Sequence, residues 1–220
     1  MPARSMSGMG RPRPARCAGI SVPSRWSTSC SGLHRRAKGR RESRPLSTSI
    51  MTSGVSDLRF VPATETDLAR MNELINDPEV IRYLNILPPV SIDRTRAFFN
   101  LAQAKGFPVW CLKLPDVGTV GVASLIPEDP STKLGRNTTF ALYLMPACWG
   151  KGLGKATMRF LEAEAMKRGL HRLECTVAAD NRRAFRLYEG LGFVREGVKR
   201  KAFFNGSQYE DLVVMGKLLD

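Results

Sequence analysis

Histidine is nearly absent from this 220-residue chain, which has only His34 and His171, and its five cysteines contain no Cys-x-x-Cys pair. Beyond residue 54 the only thiols are Cys111, Cys148 and Cys175. Soft ligands so few and so widely spaced exclude a zinc cage and point to reduced thiols with no metal site. Cys148 as an acyl-carrying nucleophile would lack a base, because His34 lies in the first fifty residues and His171 sits at a strand start, where its role reads as structural. No apolar run reaches the length of a secretory signal or a membrane span, and there is no internal repeat.

Acidic residues are missing from one region. Residues 1–50 hold ten Arg and Lys38 against Glu42 alone, so 11 − 1 = +10 of the total +14 lies there and 23 − 19 = +4 remains for residues 51–220. The basic character is mostly a property of this extension, residues 1–54. An Arg-rich, Ser-rich, acid-poor composition is that of an organelle transit peptide, and residues 44–49, RPLSTS, resemble a mitochondrial processing region. That reading makes the protein mitochondrial. A start upstream of a true one at Met51 would make it cytoplasmic. A basic arm for nucleic acid ranks third, because aromatics are not interleaved with the charges beyond Trp26 and no recognition module follows.

Residues 55–220 are enough for one core. Residues 58–62 read as a first strand, and Thr64 with Asp67 caps a helix whose Leu68, Met71, Leu74 and Ile75 fall at helical spacing. A second helical piece spans 79–84, and Ser91 caps a third through Phe98, Phe99 and Leu101. Residues 109–114 and 120–126, separated by a Pro/Asp/Gly cluster, form a hairpin. Leu173, Cys175 and Val177 alternate with polar residues in a later strand, and 193–204 and 209–219 close the chain as a hairpin turning on Asn205-Gly206.

Residues 138–158 carry the clearest chemical signal. A short apolar strand stops at Pro146, glycines follow at 150, 152 and 154, and a run of helix formers begins inside them. A helix starting there exposes N–H groups without intrahelical partners, on a backbone a ligand can approach closely, and Lys151 and Lys155 add charge. Such an end suits a pyrophosphate. A Walker A loop is excluded, since Trp149 stands at its first glycine and Ala156 follows Lys155. A dinucleotide fingerprint fails as well, its last position falling on Lys155 or Thr157. An ordinary strand-to-helix connection, with glycines for packing, is the rival reading.

This stretch resembles the pyrophosphate loop of the GNAT superfamily of N-acetyltransferases, Q/R-x-x-G-x-G/A, with Gly152 and Gly154 in the small positions and Trp149 replacing Gln/Arg. Residues 181–193, NRRAFRLYEGLGF, match that family's N-x-x-A-x-x-L-Y-x-x-x-G-F segment at every fixed position. The end of the chain is similar to the ribosomal-protein and spermidine acetyltransferase branches. The resemblance implies an α/β GNAT fold, a mixed, mostly antiparallel sheet with a central parallel pair flanked by helices. It further implies that acetyl-CoA lies in a splay between two strands. The cofactor contacts would be the backbone near Leu144 and Met145, the loop and helix start from Gly150, Lys151, Gly152 and Leu153 to Gly154 and Lys155, and Asn181. Tyr188 would protonate the departing thiolate, where position in the segment outweighs a plain core aromatic. Glu79, Arg82, Tyr83 and Asn85, together with Glu210 and Asp211, are acceptor-side candidates, with solvated faces as the rival for the charges.

Many relatives keep a Glu on the strand before the glycines, and Thr139 stands there instead. The amine must be neutral to attack: at pH 7 this costs about 4–5 kcal/mol for a lysine-like amine and about 1 for an α-amine. A water relay to Glu174, Glu210 or Asp211, or an acceptor needing little help, is expected to replace the missing Glu. The expected activity is direct transfer from acetyl-CoA to a primary amine, on a polyamine-like molecule or a peptide or protein N-terminus. The alternative is a noncatalytic acyl-CoA sensor or scaffold. Expected partners are acetyl-CoA and the amine, with no specific nucleic acid, no membrane and a homodimer left open.

Overall fold

The computed structural model describes residues 54–219, and the expectations for residues 1–50 lie outside them. Seven strands form one sheet in the order β1-β2-β3-β4-β5-β7-β6: β1 (Arg59–Pro62), β2 (Val109–Leu114), β3 (Gly118–Pro127), β4 (Asn137–Leu144), β5 (Arg172–Ala178), β6 (Val194–Phe204) and β7 (Tyr209–Leu218). Every neighbouring pair is antiparallel except β4 with β5. That parallel pair is bridged by the helix over Leu153–Lys167, the long crossover that parallel neighbours require.

Two layers of helix cover the sheet. On one face lie α1 (Leu68–Ile75) and α3 (Ile92–Ala104), with the single turn α2 (Pro78–Ile81) between them in sequence. Thr64 and Asp67 set the entry to α1: the Thr64 N–H and hydroxyl both donate to Asp67 Oδ2, at 3.0 and 2.8 Å. Ser91 Oγ accepts from Arg94 N at 3.2 Å and opens α3. Leu68, Met71, Phe99 and Ala102 pack there on Val109, Cys111 and Val122. Of the apolar residues along α3, Phe98 and Leu101 face solvent, and Thr95, Phe99 and Ala102 form the buried stripe.

The expected helix over 79–84 stops at Ile81. Leu84 N bonds back to Ile81 O at 3.0 Å in a tighter turn, and Pro88-Pro89, which lack N–H donors, close off any continuation.

The other face carries α4 (Leu153–Lys167) and α5 (Arg182–Glu189). Leu153, Met158, Leu161 and Ala165 of α4 pack on Leu112, Leu125 and Leu173, all essentially excluded from solvent. Tyr143 of β4 touches both cores. The closing hairpin turns one residue later than Asn205-Gly206: Asn205 N donates to Gln208 O at 3.0 Å, so Gly206, at φ +100°, and Ser207 are the central pair. Asn205 Oδ1 instead accepts from the N–H groups of Ser207 and Gln208, both at 2.9 Å, a local bond that moves the asparagine to the turn's first position.

Among the described residues no helix is long and apolar enough to cross a membrane, and no group of His, Cys, Asp and Glu could hold a metal ion.

β4 is held tightly by its antiparallel neighbour. Gly121 of β3 faces Leu144, and a Cβ there would lie 2.5 Å from Tyr143 O and 2.6 Å from Leu144 Cδ2. Gly121→Ala should therefore destabilise the fold by about 1–3 kcal/mol, the usual cost of overpacking. A lower midpoint of denaturant unfolding is the expected reading; an unchanged midpoint would show that the two strands have slack.

Candidate active site

The site begins where β4 and β5 part. Their parallel pairing covers Asn137–Arg172, Thr138–Leu173 and Thr139–Glu174 and ends there, although β4 continues to Leu144 and β5 to Ala178. Beyond that point β4 is paired on its β3 side only. Met145 N donates to Val120 O at 2.8 Å, which fixes the alternation along the strand. By that alternation the backbone groups of Leu142 and Leu144 turn to the open side. Trp149 Nε1 donates to Leu144 O at 2.9 Å, so the open side retains the Leu144 N–H and both Leu142 groups. Of the two strand positions expected at the cofactor, Leu144 faces the opening with its carbonyl occupied, and the Met145 N–H is engaged across the hairpin. Leu142 was missed, and strict strand alternation would have found it.

The glycine loop lies at the end of this opening. After Pro146–Cys148, a single turn of 3-10 helix, Gly150 and Gly152 take left-handed φ values of +75° and +81°, which side chains with a Cβ adopt at a cost. The first bond of α4 runs from Ala156 N to Gly152 O at 3.0 Å. The N–H groups of Leu153, Gly154 and Lys155 therefore have no acceptor among the described residues. Gly154 lies where α4 packs on α5: a Cβ on it would sit 3.4 Å from Leu187 Cδ2, an ordinary contact. No acidic residue occupies the first turn, so its partial positive charge stands uncompensated by the helix itself, and Lys151 and Lys155 are exposed beside it. The arrangement can receive an anion of two or more oxygens.

On α5, Asn181 Oδ1 accepts from Ala184 N at 3.1 Å and caps the helix. Tyr188 packs edge-on to Phe140, centroids 5.5 Å apart, and lies against Phe193 at 5.4 Å. Its hydroxyl has no hydrogen-bond partner among the described residues. Burial pushes its pKa up, with Cys175 adding to the effect, so at neutral pH it is a protonated donor. Cys175 is pushed up to about 12 by burial and by Glu174, and burial also raises the Cys148 thiol. Neither is a ready nucleophile.

Across the opening is a cavity of about 260 Å³. Arg82 and Tyr83 form one wall, Asp180 another, and Phe203, Asn205, Ser207 and Glu210 of the closing hairpin complete it. Asp180 Oδ2 accepts from Arg82 Nη2 at 3.1 Å and from the Tyr83 hydroxyl at 3.4 Å, while burial and the Asp180 charge raise the Tyr83 pKa. Glu210 accepts from Asn205 Nδ2. The structure thus brings Tyr83 and Glu210 together and leaves Glu79 and Asn85 out of the lining; Asp211 Oδ1 instead accepts from Lys201 N at 2.8 Å. Asp180, which the sequence reading did not place at the site, is the missed residue. Its one signal was a carboxylate directly before the Asn181 segment.

Thr139 Oγ1 donates to Ile126 O at 3.4 Å and leaves no carboxylate at its place on β4. Its partner in register, Glu174 on β5, points to the same sheet face, with Arg172 Nε 3.4 Å from Glu174 Oε2.

Residues 57–194 match the acetyltransferase (GNAT) domain. Spermidine N(1)-acetyltransferase of Vibrio cholerae is 33% identical over 148 residues, which cover 66% of this chain and 84% of that protein. The fold is similar to that of spermidine N-acetyltransferase from Vibrio cholerae in complex with CoA and spermine, with a TM-score of 0.68 at 24% identity over 74% of this chain and 96% of that one. Ribosomal-protein-alanine N-acetyltransferase from Brucella melitensis gives a TM-score of 0.63 at 25% identity, covering 73% of this chain and 98% of that one. With its parted parallel strands, glycine loop and matching domain, the chain belongs to the GNAT acetyltransferase family.

Proposed function

We propose that this acetyltransferase passes the acetyl group of acetyl-CoA directly to a primary amine, on a polyamine-like molecule or at a peptide or protein N-terminus. The carrying observation is the opening between β4 and β5, with the bare amides of a helix tip after the end of β4 and the Tyr188 ring against Phe140, just past the last paired residues. The diphosphate would lie on the N–H groups of Leu153, Gly154 and Lys155, with Gly150, Lys151 and Gly152 shaping the approach. Backbone groups of Leu142 and Leu144 would pair with the pantetheine amides, near Met145 and Asn181. The amine nitrogen attacks the thioester carbon, the C–S bond breaks, and the thiolate takes the Tyr188 proton. The amine proton leaves through water toward Glu174. Holding the two reactants together supplies most of the acceleration.

Two features support a cationic acceptor in the cavity beside α2. Glu210 lines it without a cationic partner among the described residues, and the Tyr83 ring in the lining already holds the Arg82 guanidinium 5.1 Å from its centroid. A relative that acts on spermidine is consistent with this chemistry. Glu79 and Asp211 would act at most from its rim. A thiol-release assay of the full chain with acetyl-CoA and spermidine, lysine or short N-terminal peptides tests the reading directly; no release with any amine would sink it.

Tyr188→Phe should lower kcat by about tenfold, below the usual range for acid catalysis because a thiol of pKa about 8.5 needs little help. Affinity for acetyl-CoA should stay nearly intact, and an unchanged kcat would remove the acid role. Gly154→Glu places a carboxylate on the helix tip, and calorimetry should then detect no acetyl-CoA uptake; tight retention would contradict the loop assignment. Glu210→Gln should raise KM for spermidine by about tenfold or more, the loss of one charged contact. Equal KM values for the two forms would place the acceptor elsewhere.

A further inference from the structure

Trp149 gives the glycine loop a flat aromatic surface, and that surface is covered. Its backbone N donates to Pro146 O at 2.9 Å and its Nε1 to Leu144 O at 2.9 Å, so the indole is pinned at the end of β4, immediately before Gly150. The Arg183 guanidinium, from the first turn of α5, lies on it with Cζ 3.3 Å from the ring centroid. A guanidinium stacked face-on keeps its N–H donors around the rim, directed outward in its own plane.

Those donors have no acceptor. Arg82, Arg172 and Arg195 each meet a carboxylate, at Asp180, Glu196 and Glu189 respectively. Among the described residues Arg183 makes neither a hydrogen bond nor an ion pair, although the Glu79 carboxylate lies near enough to favour its charged form. Partial burial works the other way and lowers its pKa. A cation held flat on an aromatic ring, still exposed and bonded to no carboxylate among the described residues, is free to donate to an anion that arrives beside it. Trp149, on which it rests, directly precedes Gly150 of the loop leading to the helix tip, where three N–H groups also have no acceptor among the described residues.

We propose that Arg183, seated on Trp149, is a cofactor-binding residue that donates to the diphosphate of CoA. It supplies from α5 the planar donor that the loop itself lacks at position 149. The assignment rests on the acetyl-CoA reading above. A phosphate elsewhere on the same ligand, the 3′-phosphate of its ribose, has the same chemistry and must be separated from the diphosphate.

Calorimetric titration of the full chain with CoA and with 3′-dephospho-CoA makes that separation. Arg183→Ala should weaken both ligands equally, by about tenfold to a hundredfold for one charge-assisted contact, and Arg183→Lys should recover only part of it. In turnover assays the loss should fall on KM for acetyl-CoA rather than on kcat. Trp149→Leu removes the platform and should cost a similar factor, with the double variant little worse than either single one. A weakening seen with CoA but not with dephospho-CoA would move the contact to the 3′-phosphate and overturn the diphosphate assignment. Fully additive losses would overturn the role of the stack, and unchanged affinity in Arg183→Ala would overturn the whole inference. If the unsubstituted chain took up no CoA, the acetyl-CoA reading would fail first and this assignment with it.

Discussion

The separation of β4 from β5 just past Thr139 and Glu174 is the constraint on which the rest of the molecule depends. Each strand is secured on its outer side, β4 by β3 from Thr138 to Leu144 and β5 by β7 from Arg172 to Ala178, so neither is lost when the two diverge. Phe140, the first residue beyond the shared register, meets Tyr188 and Phe193 edge-on, so aromatic packing begins where the pairing of β4 with β5 ends. The sheet thereby keeps unpaired backbone groups in its middle. Such groups are costly unless water or a ligand satisfies them, which makes the opening a receptive surface.

The glycine loop and the cavity differ in the charges they present. At the α4 end there is a helix tip without an acidic residue in its first turn, flanked by Lys151 and Lys155 and approached by Arg183 over Trp149. At the cavity end are Asp180 and Glu210, the former already bound to Arg82 and Tyr83. The proposed anionic carrier would meet N–H donors and lysines, and the proposed cationic acceptor a carboxylate. That arrangement asks little of the enzyme beyond orientation, which is consistent with thiols that are buried at Cys111 and Cys148 and half-buried at Cys175.

Much of this was legible in the sequence because its causes are local. Alternating apolar residues placed the strands, Ser91 and Asn181 marked helix starts with their own side chains, and glycines at every second position announced a helix tip. What escaped depends on residues far apart in the chain. Arg82 and Asp180 are 98 positions apart, and nothing near either one signals the pair. The hydrogen bond from Trp149 to Leu144 and the stack of Arg183 on Trp149 likewise arise only once α5 is laid beside the loop. The closing turn failed for a different reason: Asn205 has two local options, and its side-chain bonds to Ser207 and Gln208 favour the first turn position over a central one.

Thr139 leaves the proposed reaction with an unusual division of labour. Glu174, the carboxylate that shares its register, is in contact with Arg172, whose guanidinium is also gripped by Glu196. A base in such company is poorly placed to strip a proton from a strongly basic amine, for which deprotonation at pH 7 costs about 4–5 kcal/mol. The acidic cavity, on the other hand, favours acceptors that bring positive charge. Both conditions are met by an acceptor whose binding charge and reacting nitrogen are separate groups. Held at Glu210, a distal ammonium would lower the pKa of its neighbouring amine by like-charge repulsion, and partial desolvation between the strands would lower it further. The demand on Glu174 would then fall toward the roughly 1 kcal/mol required by an α-amine.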